Sequence, residues 1–355
     1  MTDVPLDGPV RRGATPSRLP LPRYLARRIG ALALTIFGLL AVTFLVGRVI
    51  PVDPALAIAG DRASASAYAA VRAELRLDQP LVVQFIGYLG DALRGDLGLS
   101  VLSSKPVTED IARFFPATIE LASAATLIGV LGGLPLGVWA ALRHGRWEDH
   151  AIRLFTLAGY SVPVFWLGIV GLIVFYAHLG WVGGPGRIDI AFQYSVPSRT
   201  GFLLIDTVLA GNPEALRSAI DHLILPASVL GYFSAAVISR MTRTVMINEL
   251  SQEYVLTARA KGLSGARVIW RHALANAAAP LITVVVLSYT HLLEGAVLTE
   301  TVFAWPGLGL YVTQSLFSAD LNAVLGATLV IGICFVALNA LSDLLYPLFD
   351  PRVRR

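Results

Sequence analysis

Only one cysteine, Cys334, stands in this chain, so no intrachain disulfide can form and no multi-cysteine metal site can be built. It lies inside an apolar run and reads as a small packing residue. Charge is scarce as well. Asp, Glu, Lys and Arg make up 15% of the residues against 55% apolar ones, a balance too apolar for a soluble domain of this length. Catalytic signatures are missing: there is no GxxxxGK[ST] phosphate loop, no HExxH and no GxSxG. The six histidines, His144, His150, His178, His222, His272 and His291, are scattered without metal-ligand spacing. The expectation is a chain with no catalytic centre, no metal site and no ATP site of its own.

What the chain does have is long apolar runs. Six segments, Ile29 to Ile50, Ala117 to Leu142, Leu154 to His178, Leu223 to Ser239, Leu281 to Phe303 and Ala323 to Phe349, are near or above the roughly 20 residues that a helix needs to cross a hydrocarbon core of about 30 Å. The fourth is short before its first charge, and Arg240 and Arg243 extend it to about residue 247 by snorkelling. Roughly two thirds of the 28 Lys and Arg fall on the side that holds both termini when the spans alternate. The pattern predicts an all-α integral membrane protein with both ends cytoplasmic. The formal charge of +4 is then a topology signal, since no aromatic-interleaved basic patch points to nucleic acid. Residues 1–28, rich in Arg, Pro and Gly and without a cleavage site, read as a disordered cytoplasmic lead into an uncleaved anchor.

Residues 51–115 form an outer insertion after the first span. Tyr68, Val71 and Leu75 share a helical face, and Val82, Phe85, Ile86, Leu89 and Leu93 share another, which predicts two amphipathic helices. Gly180 to Asp221 reads as an irregular outer loop that ends in a short helix from Glu214. Within the spans, Ala125, Gly129, Gly133 and Gly137 recur every four residues and predict a close helix–helix seam. Pro135, Pro163, Pro226, Pro280 and Pro347 predict kinks or local irregularity. Acidic side chains stand within spans at Glu120, Glu294 and Asp343, and each needs a partner or water there. Glu120 and Asp343 read as near-interface structural partners. Glu294, mid-span with His291 one turn away, reads either as a group facing a substrate pathway or as a contact with a partner helix.

Residues 248–280 are a basic cytoplasmic segment between apolar runs. Glu253 to Lys261 is rich in helix formers, Gly262 can supply the left-handed residue that ends a helix, and Ser264 can cap the next. Two short helices with a bend between them are predicted, forming a docking surface. At these residues the chain resembles the permease subunits of bacterial ABC importers, in the dipeptide/oligopeptide/nickel branch. The resemblance also rests on GDLGLS (Gly95 to Ser100), Lys105-Pro106-Val107, PATIELA (Pro116 to Ala122), DHLILPA (Asp221 to Ala227) and SRMTRTVMINELSQEYV, in order. It continues through Arg271-His272-Ala273-Leu274, LTETVFAWPGLG (Leu298 to Gly309) and DPRVR (Asp350 to Arg354). Of the general EAA loop pattern only Ala258, Gly262 and Leu274 fit, whereas the peptide-importer form of the loop fits well.

The resemblance implies a type I ABC importer permease fold that forms half of a translocation pathway for small peptides. Nickel complexes, opines and modified peptides are the alternative cargoes. It implies a second homologous permease, two ATP-binding subunits that hold ATP and Mg, and an extracytoplasmic solute-binding protein as partners, with membrane lipid around the bundle and no cofactor on this chain. Coupling to ATP hydrolysis would pass through Glu253, Tyr254, Ala258, Arg259, Ala260, Lys261, Gly262 and Leu263. One rival reading is a secondary transporter driven by an ion gradient through Glu294, Glu120 or Asp343. It is disfavoured because the chain lacks a second copy of its own helices and carries the basic loop instead. An intramembrane enzyme is a third reading, for which no catalytic constellation is visible.

Overall fold

The computed structural model describes residues 21–49, 55–56, 60, 63–74 and 76–349, with side chains at 29–46, 55–56, 60, 63–73 and 76–342. The first helix, α1 (Leu21–Val49), starts ahead of the apolar run, so residues 21–28 are helical rather than disordered. Residues 1–20, Leu75, the Asp343 side chain and DPRVR lie outside the described set.

Two helices follow in the outer insertion, α2 (Ala65–Glu74) and α3 (Leu81–Leu93). Helix α3 leans on α1 through rings: Phe85 lies 5.7 Å from Phe37 and 5.3 Å from Phe44, and Tyr88 lies 5.7 Å from Phe44. Of the apolar face expected from periodicity, Val82, Ile86 and Leu93 point outward instead, each more than 60% exposed. The buried face is centred on Gln84, whose amide donates to the carbonyls of Leu77 and Gln79 and holds the turn between α2 and α3.

The centre of the bundle is a pair of long helices, α4 (Val107–Leu142) and α8 (Pro213–Leu250). Gly129, Gly133 and Gly137 lie on the line where they meet. A Cβ at Gly133 would stand 2.8 Å from the Ala235 carbonyl oxygen, and one at Gly137 2.6 Å from that of Ser239. The stripe therefore brings two backbones together, as small residues do where lipid offers no hydrophobic drive for helix association. Pro116, Pro135 and Pro226 are carried inside these helices without ending them. Asn212 caps α8, its side chain accepting from the Ala215 N–H at 3.0 Å. The short helix expected from Glu214 is thus the first turns of the fourth span.

Helices α5 (Trp147–Ser161) and α6 (Val164–His178) make one bent segment, turning by 96° at Val162 and Pro163. Pro163 brings no N–H, so the break falls where the ladder already lacks a donor. A short helix, α7 (Leu203–Leu209), interrupts the outer loop. After α9 (Glu253–Ala260) the chain enters α10 (Gly265–Val302), which contains π-helical turns at Val268–Ala273. The second short helix expected after Ser264 is accordingly the start of the fifth span. The short α11 (Leu308–Phe317) and the last span α12 (Leu321–Phe349) complete the fold. Among the described residues, five helices are long and apolar enough to cross a membrane, or six when the bent pair counts as one.

Glu120 is a structural partner near the N-terminal end of α4. It is bonded by Arg187, whose Nε donates at 3.0 Å, and it accepts the Leu204 N–H at 2.9 Å. Arg187 also donates to the Gly201 carbonyl, so one buried ion pair fastens the outer loop to the core. Nearby, burial works against the Asp206 charge. Donors from Thr200, Arg199 and Gly201 outweigh it and hold the pKa below the ordinary carboxylate value.

Replacing Gly133 by Leu forces α4 away from α8 and should destabilise the protein by about 2 kcal/mol, in the range of overpacked cores. Thermal unfolding of the detergent-purified protein checks this. An unchanged midpoint would mean that the seam is not close-packed.

Candidate functional site

Helix α9 leaves the end of α8 after a tight turn at Ser251 and Gln252 and is tied back by the Tyr254 hydroxyl, which donates to Glu249 at 2.6 Å. Its far end is a Schellman closure. The Gly262 N–H donates to the Arg259 carbonyl at 2.9 Å and the Leu263 N–H to the Ala258 carbonyl at 3.2 Å, with Gly262 at φ +77°. A Cβ at Gly262 would meet open space, so the glycine answers a backbone need and no crowding within the chain. Ser264 precedes α10, but its side chain makes no cap bond.

A small core of its own fixes the face that α9 presents. Val255, Ala258 and Val268 are buried against one another, with Tyr254 and Leu263 packed beside them. Leu256, Arg259, Ala260 and Lys261 are left exposed, as is Glu253 at the start of the helix. Arg259 and Lys261 have no carboxylate partner among the described residues. The result is a rigid, basic, partly apolar knob at the end of α8.

Glu294 and His291 lie elsewhere. They are close to each other, His291 Nδ1 being 3.7 Å from a Glu294 carboxylate oxygen, and both are exposed. With Leu287, Leu298 and Thr301 they form one uncovered stripe of α10, spaced alternately four and three residues apart. The opposite face of the helix is buried: Ser288 shares a 2.8 Å hydrogen bond with Ser234 of α8, and Leu292, Leu293 and Ala296 are in the core. No described residue covers the Glu294 side.

Sequence reading passed over Glu300, although it falls in the fifth apolar run. It is fully buried, and its carboxylate accepts the Thr118 hydroxyl at 2.7 Å and the Leu310 N–H at 3.1 Å. A Cβ at Gly307 would strike that carboxylate, and one at Gly309 would strike Val297 and Glu300. Glu300 thus occupies the N-terminus of α11, where free N–H groups favour a negative group. The same Thr118 hydroxyl accepts the Leu308 N–H at 2.8 Å, and the buried Trp305 donates from its indole to the Ala117 carbonyl at 2.9 Å. Sequence held a usable signal here: an acid followed by Trp-Pro-Gly-Leu-Gly just past an apolar run. Ala304, at φ +47°, ends α10 where a glycine is usual, and the Trp305 N–H closes the turn by donating to the Glu300 carbonyl at 2.8 Å.

Residues 133–355 match the family of binding-protein-dependent transport system inner membrane components, and residues 21–122 match the N-terminal region of such membrane components. The chain belongs to this family and is a multi-pass membrane permease. It is 44% identical, over 93% of its length and 97% of the relative, to the probable D,D-dipeptide transport system permease of Escherichia coli (strain K12). It is 42% identical to the di/tripeptide transport system permease of Pseudomonas aeruginosa (strain UCBPP-PA14), over 93% and 98% of the two chains. It is 40% identical to the dipeptide transport system permease of Escherichia coli (strain K12), over 94% and 98%. The inward-facing MetNI methionine ABC transporter aligns with 16% identity and a TM-score of 0.48 over 66% of this chain and 93% of that one, too slight a likeness to argue from.

Removing the Glu300 carboxylate with Ala leaves the Thr118 hydroxyl and the Leu310 N–H without their acceptor. The Glu300→Ala protein should lose about 2 kcal/mol, the scale of a buried group left unsatisfied, and Glu300→Gln less. Equal unfolding midpoints for the wild type and Glu300→Ala would contradict the capping role.

Proposed function

We propose that this chain is one permease half of an ATP-driven importer for short peptides, and that α9 is the lever through which partner ATPases move it. The observation that carries the reading is the knob itself. A helix locked by its own core at the end of a 38-residue helix presents Leu256, Arg259 and Lys261 with no partner among the described residues. Relatives named for dipeptides and for di- and tripeptides support the cargo class.

In this reading both termini are cytoplasmic, a second permease covers the open stripe of α10, and two ATP-binding subunits carrying ATP and Mg dock below. An extracytoplasmic binding protein delivers cargo to the outer face formed by α2, α3 and the loop around Arg187. ATP-driven closure of the ATPases shifts α9, and α8 carries that shift to the seam with α4. Only contacts that differ between the inward-open and outward-open states can drive the switch. Glu294 then faces the pathway or the second permease. A carboxylate at that depth keeps its charge only where water, His291 or a cation reaches it.

Gly262→Trp places a bulky residue in a left-handed conformation and tilts the knob. The complex should still assemble and insert, while peptide uptake falls about tenfold relative to ATP hydrolysis, equivalent to about 1.4 kcal/mol of lost coupling. Wild-type uptake per ATP in reconstituted vesicles would refute the lever. Glu294→Gln should slow uptake of zwitterionic dipeptides severalfold with assembly intact. A complex that fails to assemble would instead assign Glu294 to the permease–permease contact.

A further inference from the structure

Beside the seam, where α5 runs antiparallel to the later half of α8, a groove of about 390 Å³ opens between them. Its walls include Arg153, Leu157 and Tyr160 from α5, and Val237, Arg240 and Arg243 from α8. The chemistry is graded along its length. His150 and Arg153 come first on α5 and Leu157 and Tyr160 one to two turns later, while α8 passes from Val237 to Arg240 to Arg243 in the opposite direction. The basic ends of both walls therefore coincide, and so do the apolar ends.

The three arginines are not equivalent. Arg243 is spent on Asp149, donating from Nε at 2.6 Å and from Nη2 at 2.7 Å. Arg153 and Arg240 are exposed and hold no carboxylate at ion-pair distance among the described residues, Arg153 acting on Asp149 only at longer range. The Arg240 guanidinium lies 5.3 Å from the centre of the Tyr160 ring, at the boundary between the two halves of the groove. Tyr160 is stacked on Phe233 at 5.8 Å, and the Tyr232 hydroxyl donates to the Phe155 carbonyl at 2.6 Å, so the apolar wall is fixed.

We infer that this groove binds an anionic phospholipid, with the phosphate between Arg153 and Arg240 and an acyl chain along Leu157, Tyr160 and Val237. Guanidinium groups suit phosphate oxygens, and basic pockets between membrane helices near a bilayer surface take anionic head groups. A free inorganic anion would use only the basic end and leave the apolar end idle. An acidic loop of another protein would likewise reach only the basic half. An amphiphile matches both halves in the order in which they occur.

The test is native mass spectrometry of the transporter complex, purified in mild detergent with equimolar phosphatidylglycerol and phosphatidylethanolamine. The wild type should retain phosphatidylglycerol selectively. Arg153→Gln/Arg240→Gln should weaken that retention about 30-fold, the product of two surface cations acting on an anionic lipid, and Arg153→Lys/Arg240→Lys should keep most of it. Full retention in the Gln pair would overturn the proposal. Millimolar inorganic phosphate displacing the lipid at wild-type affinity would make the groove a simple anion site and overturn it as well. So would a Gln pair that keeps its lipid but sheds another subunit, since the groove would then be a protein contact.

Discussion

The rest of this fold depends on two backbones lying almost against each other. Helices α4 and α8 meet at Gly129, Gly133 and Gly137, where a methyl group would press on the carbonyl oxygens or side chains of α8. Lipid tails are as apolar as leucine, so such a seam gains its stability from close packing. What hangs on α8 inherits its position. At one end is Ser218, whose hydroxyl donates to Asp189 at 2.6 Å with His222 beside it, and at the other is the basic knob of α9.

Buried acids do complementary work at the end of the bundle opposite α9. Glu120 holds Arg187 and the start of α7, and Glu300 holds the start of α11 through Leu310 and Thr118. Asp320 accepts the Ser100 hydroxyl at 2.6 Å and the Ala323 N–H at 3.1 Å, and so joins the GDLGLS loop to the first turn of α12. Each carboxylate sits where a helix begins or a loop returns, and each answers N–H or O–H groups that the hydrocarbon core could not satisfy. This end of the bundle is thereby cross-linked by polar bonds. At the opposite end of α8, α9 is fixed mainly by its small apolar core, with the Tyr254–Glu249 bond alongside. That contrast fits a body moved as a unit by a separate lever.

Much of this was legible in the sequence, because the bilayer imposes length and composition on each span. The apolar runs located five of the six expected spans as single helices, the third being broken into α5 and α6, the four-residue spacing located the seam, and Gly262 located the end of α9. Side-chain direction was harder to read. Periodicity put Val82, Ile86 and Leu93 on one apolar face of α3 but could not tell whether protein or lipid would cover it. Glu300 escaped notice because a carboxylate near the end of a run looks like an interfacial residue until the chain folds back and lays α11 against it. Continuity misled as well: Glu214 and Ser264 look like helix starts, and both begin spans rather than separate short helices. The 96° turn at Pro163 was foreshadowed by its proline, but its size follows from packing that no local pattern records.

The central claim is that α9 is the part of this chain that touches an ATP-binding subunit and moves with it. The most direct measurement places a photo-cross-linker on Leu256→Cys, on the exposed face of α9, in a Cys334→Ser chain assembled with its natural partners. The account predicts an adduct with the ATP-binding subunit whose yield changes between nucleotide-free and ATP-bound states. Adducts with lipid or with the extracytoplasmic binding protein alone would contradict it.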